Sequence, residues 1–244
     1  MKILVCVITY NCAGIMPWFL RHYESFADTI WAWDDKSDDG TAELLKAHPK
    51  VFLKDWAFES GINEDVFLKF TYDTYPEAAG YFDWVIWVDP DEFIYAPNVR
   101  SVLNGVPHEC ELVLTNGFNM IGDGLPKDNG QQIWKLLTQG VHSQVYSKPV
   151  VFRPECKIRW VRGKHSTEGV TLRHTAKPLL KLLHYRYLGG QYTAAGNAKN
   201  YARCGLTNGD KGAAWTCHPD FKGPHSAEWA EAMKHHAYDV INTP

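Results

Sequence analysis

From residue 84 to residue 93 the chain reads Trp-Val-Ile-Trp-Val-Asp-Pro-Asp-Glu-Phe, an apolar run closing on two aspartates one residue apart. A short run of this kind reads as a buried strand, which puts Asp89 and Asp91 at its carboxyl end. Side chains two apart in extended backbone share a face. Two carboxylates aimed together suit a hard divalent cation such as Mg²⁺ or Mn²⁺, and the carboxyl edge of an open α/β sheet is where such folds take ligands. The plainer alternative is an acidic turn after a strand. A second acidic stretch, Asp34-Asp35-Lys36-Ser37-Asp38-Asp39-Gly40-Thr41, also follows an apolar run. Its carboxylates are suited to accept hydrogen bonds from a ribose hydroxyl or a base N–H; equally, it can be a solvated loop that caps the next helix.

Positioning these acids requires elements, and the first half of the chain supplies them by alternation. Ile3 to Thr9 is continuously apolar, as expected of a strand covered on both faces. Met16, Phe19, Leu20, Tyr23 and Phe26 follow at helical spacing, with Pro17 near the helix start. Thr29 to Trp33 reads as a strand, Thr41 to His48 as a helix stopped by Pro49, and Val51 to Leu53 as a strand. A helix follows from an Asn63 cap through Tyr75. With the strand from Trp84 to Val88, the pattern predicts an α/β fold with a Rossmann-like, mainly parallel sheet flanked by helices. In the second half, Glu111–Thr115, Val150–Arg153, Lys157–Val161 and Leu179–His184 read as strands. Ser226 to Val240 reads as a helical tail with Trp229, Met233, His236 and Val240 on one face. The expectation is one domain over 1–244: a ligand-binding half to residue 105, a second half to 203, and the tail.

Ile8-Thr9-Tyr10-Asn11, the Asp34–Thr41 stretch and Trp87–Phe93 occur in order and at suitable spacing. Together they resemble the glycosyltransferase family 2 pattern on the GT-A fold, in particular members whose D-x-D continues into Glu-Phe. Leu182-Leu183-His184-Tyr185-Arg186 and Lys199-Asn200-Tyr201 resemble later elements of that group, so the likeness covers roughly residues 1 to 203. The resemblance implies a nucleoside-diphosphate sugar, with a UDP-sugar expected, as donor, and a carbohydrate or other hydroxyl as acceptor. It implies that Thr9, Tyr10 and Asn11 line the nucleotide pocket, that Asp35 with Asp34 beside it contacts base or ribose, and that Lys69 lies near the nucleotide. Asp89 would reach the ribose or the metal. Asp91 would ligate the metal, and His184 would be a further ligand or a diphosphate contact. A satisfied core histidine is the alternative for His184.

The chemistry asks for two things. The departing nucleoside diphosphate gains charge that a bound cation can stabilise, and the acceptor hydroxyl must lose a proton to a positioned base. The resemblance implies inversion by single displacement and a base from the second half. Glu168 is the first candidate and Asp123, in a glycine turn, the second. Trp134, Trp160 and Trp215 could stack on acceptor sugars, though packing accounts for each more simply. Sugar nucleotidyltransferases are the rival enzymes, but the glycine-rich basic loop expected after the first strand is replaced by Thr9-Tyr10-Asn11-Cys12-Ala13-Gly14. A non-catalytic carbohydrate- or metal-binding module is the rival of another class. Dinucleotide, P-loop, H-E-x-x-H and G-x-S-x-G signatures are absent.

Composition bounds the rest. With 244 residues, 45% hydrophobic and 22% charged, the chain can bury a sizeable core. A net charge of −3 without a basic run argues against broad binding to nucleic acid. No run reaches the roughly 18 apolar residues of a membrane span. Six cysteines without a C-x-x-C pair give no disulfide framework or zinc site, and the expectation is a reducing, cytoplasmic setting.

Overall fold

The computed structural model describes residues 1–56, 63–168, 173–204 and 221–243. Its first sheet is built on β1 (Ile3–Thr9), β2 (Thr29–Asp34), β3 (Val51–Asp55) and β4 (Trp84–Trp87). These four strands are parallel in the order β3-β2-β1-β4, the arrangement of a Rossmann-like half. Two short antiparallel strands, β9 (Val151–Phe152) and β6 (Leu112–Val113), extend it beyond β4. Helices α1 (Met16–Glu24), α2 (Thr41–Ala47) and α3 (Glu64–Thr74) make the crossovers. The Asn63 side chain caps α3 by accepting from the Asp65 and Val66 amides at 3.0 and 3.2 Å. The β1 and β4 side chains are almost wholly buried, one face under α1 and the other against Leu68, Tyr75 and Trp160.

A second sheet has the order β11-β8-β7-β10-β5: Tyr238–Asp239, Gln139–His142, Thr115–Met120, Leu180–His184 and Glu92–Tyr95. Only β7 and β10 are parallel to each other. The predicted strand over Glu111–Thr115 divides at Leu114, so that β6 joins the first sheet and β7 the second. Lys157–Val161 forms no strand; it enters a hairpin closed by the Trp160–Thr167 bridge. Helices α4 (Val99–Asn104), α5 (Ile133–Leu136) and α6 (Gly190–Cys204) complete this half.

The tail is not a single helix. Ser226 caps α7 (Ala227–Met233), a 3₁₀ turn follows, and β11 then pairs with β8. Trp229 and Met233 pack as predicted, but His236 is exposed, and Val240 reaches the main core from beyond the strand. No helix among the described residues is long and apolar enough to cross a membrane. Cys6, Cys12, Cys110 and Cys156 are free thiols.

One close approach ties this frame to the edge described next. A Cβ on Gly117 of β7 would stand 2.1 Å from the Tyr146 carbonyl carbon, and the Gly117 amide donates to Ser147 Oγ at 3.0 Å. Backbone cannot yield as a side-chain tip can. Gly117→Ala should cost about 3 kcal/mol, read as a lower midpoint in urea; an unchanged midpoint would mean that the 144–147 turn does not rest on β7.

Candidate active site

The turn Asp89–Asp91 leaves β4 in the first sheet and enters β5 in the second, so it lies where the two sheets meet. Glu92, fully buried, folds back to accept from the Asp89 amide at 3.1 Å. Its other oxygen takes Lys148 Nζ at 2.5 Å. Lys148 also lies 3.6 Å from Asp89 Oδ2, while Lys164 donates to Asp89 Oδ1 at 3.0 Å. Both lysine side chains are buried, at 4% and 2% exposure, whereas Asp89 is 43% exposed. Burial opposes ionisation of Asp89, but Lys164 and Lys148 outweigh it and hold the carboxyl well below the usual range. Burial likewise disfavours the charged form of Lys148, and Glu92 and Asp89 reverse that and raise its pKa.

Asp91 differs from its neighbour. Burial pushes its carboxyl up, with the Asp89 charge adding to that and Arg186 and Lys148 opposing. Asp91 Oδ1 lies 3.8 Å from His184 Nε2 at the end of β10. His184 is buried, and that burial drives its pKa far below the ordinary value, which favours the neutral imidazole. Nδ1 lies 3.0 Å from Asn119 Oδ1 on β7, and Tyr146 stacks on the ring at 3.9 Å. A proton on Nδ1, donated to Asn119, leaves the Nε2 lone pair facing Asp91, the second-sphere arrangement that orients metal-binding histidines.

At the adjoining edge the acidic stretch is mostly spent on itself. Asp34 accepts from Thr9 Oγ1 at 2.8 Å, Ser37 Oγ at 2.6 Å and the Ser37 amide at 2.9 Å. Asp38 and Asn11 exchange hydrogen bonds at 2.8 and 2.9 Å, with Asn11 held at φ 45°. Asp39 accepts from the Ala13 and Thr41 amides at 2.9 and 3.0 Å. These bonds lace the loop after β1 to the loop after β2. Asp35 alone is turned inward, paired with Arg203 of α6, whose guanidinium lies 3.9 Å over the Tyr10 ring. Lys199, one turn earlier on α6, donates to the Asn11 carbonyl at 2.8 Å.

Of the residues expected from sequence, the structure brings Asp91 and His184 together and sets Tyr10 and Asp35 each against Arg203. It corrects others. Asp89 is not an open metal ligand, because both its oxygens already face ammonium groups. Thr9 and Asp34 satisfy each other, and Asn11 shapes its loop. Lys69 is exposed on α3 and pairs with Asp73 of its own helix. Asp123 is 93% exposed and bound to Lys234. Glu168 is exposed at the base of the 160–168 hairpin, where its charge is felt by Tyr72. Trp160 is buried and donates to the Pro149 carbonyl, Trp134 packs on Tyr95, and Trp215 lies outside the described residues. Among the described residues no three His, Cys, Asp or Glu side chains converge as a metal cage. Lys148 and Lys164 were not expected; the one local signal is Gly163-Lys164, where both residues adopt positive φ, 74° and 58°.

The fold and site define an α/β protein with a cluster of charged side chains at the carboxyl edge of a Rossmann-like sheet. No family model and no curated protein matches the chain. Similar solved structures include a 4-diphosphocytidyl-2C-methyl-D-erythritol synthase (10% identity, 63% of this chain and 76% of that one, TM-score 0.39). A putative glucose-1-phosphate thymidylyltransferase from Bacillus anthracis is similar over 86% of this chain and 80% of its own, with 8% identity and TM-score 0.35. The glycosyltransferase GlyE of Streptococcus pneumoniae TIGR4 is similar over 47% of this chain and 29% of its own, with 11% identity and TM-score 0.31.

The two partners of the Asp89–Lys164 pair should behave unequally. Removing the acid strands a buried ammonium, whereas replacing the lysine by an apolar chain of similar length does not. Discounted for the exposure of Asp89, Asp89→Asn should cost about 2 kcal/mol and Lys164→Met less than about 1 kcal/mol. The folded Asp89 carboxyl lies below its unfolded value, so its contribution is complete above the ordinary carboxylate pKa near 4 and is lost as pH falls through the folded value. Thermal midpoints between pH 7 and 3 check both points: the acid-side decline should flatten in Asp89→Asn. Equal costs for the two variants would refute the buried-charge account.

Proposed function

We propose that this protein is a glycosyltransferase, transferring a sugar from a nucleoside-diphosphate sugar to an acceptor hydroxyl. The observation that carries the reading is the facing of Asp91 Oδ1 and His184 Nε2 at 3.8 Å on the sheet's carboxyl edge, with the Asp35–Arg203–Tyr10 group at the same edge. An imidazole with its far nitrogen on Asn119 and a carboxylate fit one side of a divalent-cation site. Asp91 and His184 would hold Mn²⁺ or Mg²⁺, whose charge would offset that gained by the diphosphate. Tyr10 offers an aromatic face, and Asp35 with Arg203 offers an acceptor beside a donor, a pairing matched to a nucleobase edge. Asp89, fixed by two ammonium groups and still half-exposed, is suited to accept a hydroxyl of the ribose or sugar. A UDP-sugar is the donor we expect, by the sequence resemblance, and a carbohydrate the acceptor class.

A sugar nucleotidyltransferase is the second reading, favoured by the two buried lysines at the same edge, since ammonium groups suit a pyrophosphate product. The products separate the two. Incubation of a panel of nucleotide sugars with Mn²⁺ should release nucleoside diphosphate, and EDTA should stop it. Asp91→Ala should lower that release by about 10²-fold or more while the fold persists by circular dichroism. Wild-type turnover in Asp91→Ala would remove the metal role, and pyrophosphate-dependent release of nucleoside triphosphate would install the rival.

A further inference from the structure

With Asp123 bound to Lys234 in solvent and Glu168 at the hairpin base, the acceptor hydroxyl needs another proton acceptor. We propose that His225 is the general base of the transfer, with Tyr187 as the residue that orients it; the assignment rests on the glycosyltransferase reading above. His225 sits in the turn before α7 at φ 81°, a backbone conformation that a residue bearing a Cβ seldom takes. The surroundings enforce it. Its carbonyl accepts from Asn197 Nδ2 at 2.8 Å, and Asn197 Oδ1 accepts from Arg186 at 2.8 Å. Trp229 packs on the ring at 5.5 Å and Tyr187 at 5.3 Å. Strain held in place by so many contacts is a mark of functional positions.

The hydrogen bonding favours a base. Nδ1 is bonded to the Tyr187 hydroxyl, which lies 3.2 Å from the Tyr146 hydroxyl. If Nδ1 carries the proton and Tyr187 accepts it, Tyr187 donates onward to Tyr146, and the Nε2 lone pair is left for a substrate. Among the described residues the ring makes no hydrogen bond besides that to Tyr187. This is the logic of a histidine oriented by a third group. Tyr187 also packs against His184, at 5.4 Å, so one tyrosine separates the imidazole of the proposed donor site from that of the proposed base. His225 is half-buried. Burial, with the charges of Arg186 and His165 adding, lowers its pKa and favours the neutral form. In the step, the acceptor O–H bond breaks and its proton goes to Nε2. The oxygen bonds to the anomeric carbon as the bond from that carbon to the phosphate oxygen breaks. The electron pair leaves with the nucleoside diphosphate, and the imidazolium later returns its proton to water.

The test uses the full chain with Mn²⁺, UDP-glucose, UDP-N-acetylglucosamine and GDP-mannose as donors, and water as the acceptor. His225→Gln should lower kcat about 10²- to 10⁴-fold with UDP or GDP affinity, by calorimetry, changed less than about threefold. The fall of wild-type activity at acid pH should vanish from the residual rate. His225→Gly relieves the positive φ and opens room for added imidazole, which should restore part of the rate. Tyr187→Phe should keep donor binding and lower kcat. Wild-type turnover in His225→Gln, or loss of nucleotide binding together with the rate, would overturn the base assignment alone. A wild-type chain that neither binds UDP or GDP nor hydrolyses any donor would overturn the glycosyltransferase reading and the base with it.

Discussion

Two sheets of different character meet at a four-residue turn, and the charges gathered there make the junction rigid. Glu92 is fully buried and holds Lys148; Lys148 and Lys164 hold Asp89; the Glu92 carboxylate closes the turn on the Asp89 amide. Burying two ammonium groups and a carboxylate is costly unless each finds partners. Here each does, from elements far apart in sequence: β5, the turn after the 144–146 helix, and the tip of the 160–168 hairpin. The network therefore fixes where three otherwise separate segments stand relative to the end of β4. Lys164 adopts φ 58° to reach it, a local cost that the ion pair offsets.

With Asp89 neutralised in this way, the two acids of the turn are no longer equivalent. One is an ionised, fixed acceptor; the other sits in a drier place, its proton affinity raised, opposite an imidazole whose burial favours the neutral form. Environments that push neighbouring carboxyl groups apart in pKa divide labour between them. The same economy governs the loop after β2. Asp34, Asp38 and Asp39 supply hydrogen bonds that would otherwise be missing from two facing loops, and Asp35 is left to pair with Arg203, which lies over the Tyr10 ring.

The first half of the fold was legible because a parallel sheet writes itself in sequence: strands covered on both faces are continuously apolar, and helices between them carry a 3.6 period. Asn63 as a cap and the placement of Asp89 and Asp91 past β4 follow from local rules of that kind. The second half was harder. Its strands are two to six residues long and lie in two sheets, and nothing in Leu112–Met120 announces that the chain changes sheet at Leu114. For the candidate site, the positions of Asp91, His184 and Asp35 at strand ends could be read from the sequence. Those of Lys148 and Lys164 could not, because a buried lysine is defined by its partners, and both partners lie more than fifty residues away. Lys69, conversely, has the expected residue type in the expected segment but points from the outer face of α3.

The order of β10 within its sheet explains how distant pieces can serve one edge. Parallel pairing with β7 sets His184 beside Asn119, and antiparallel pairing with β5 sets it beside Glu92. A shift of one residue in either register would turn His184 to the opposite face. The Tyr185 amide donates to the Asp91 carbonyl at 2.8 Å, which anchors the D-x-D turn to the same strand end. From that anchor the chain continues through Arg186 and Tyr187 into α6, whose Asn197 reaches the turn before α7, and whose Lys199 and Arg203 reach the loops after β1 and β2. One continuous segment, 180–203, thus touches the β4 turn, both loops of the parallel half and the C-terminal turn. Its register is the geometric constraint that lets residues from both sheets face one another.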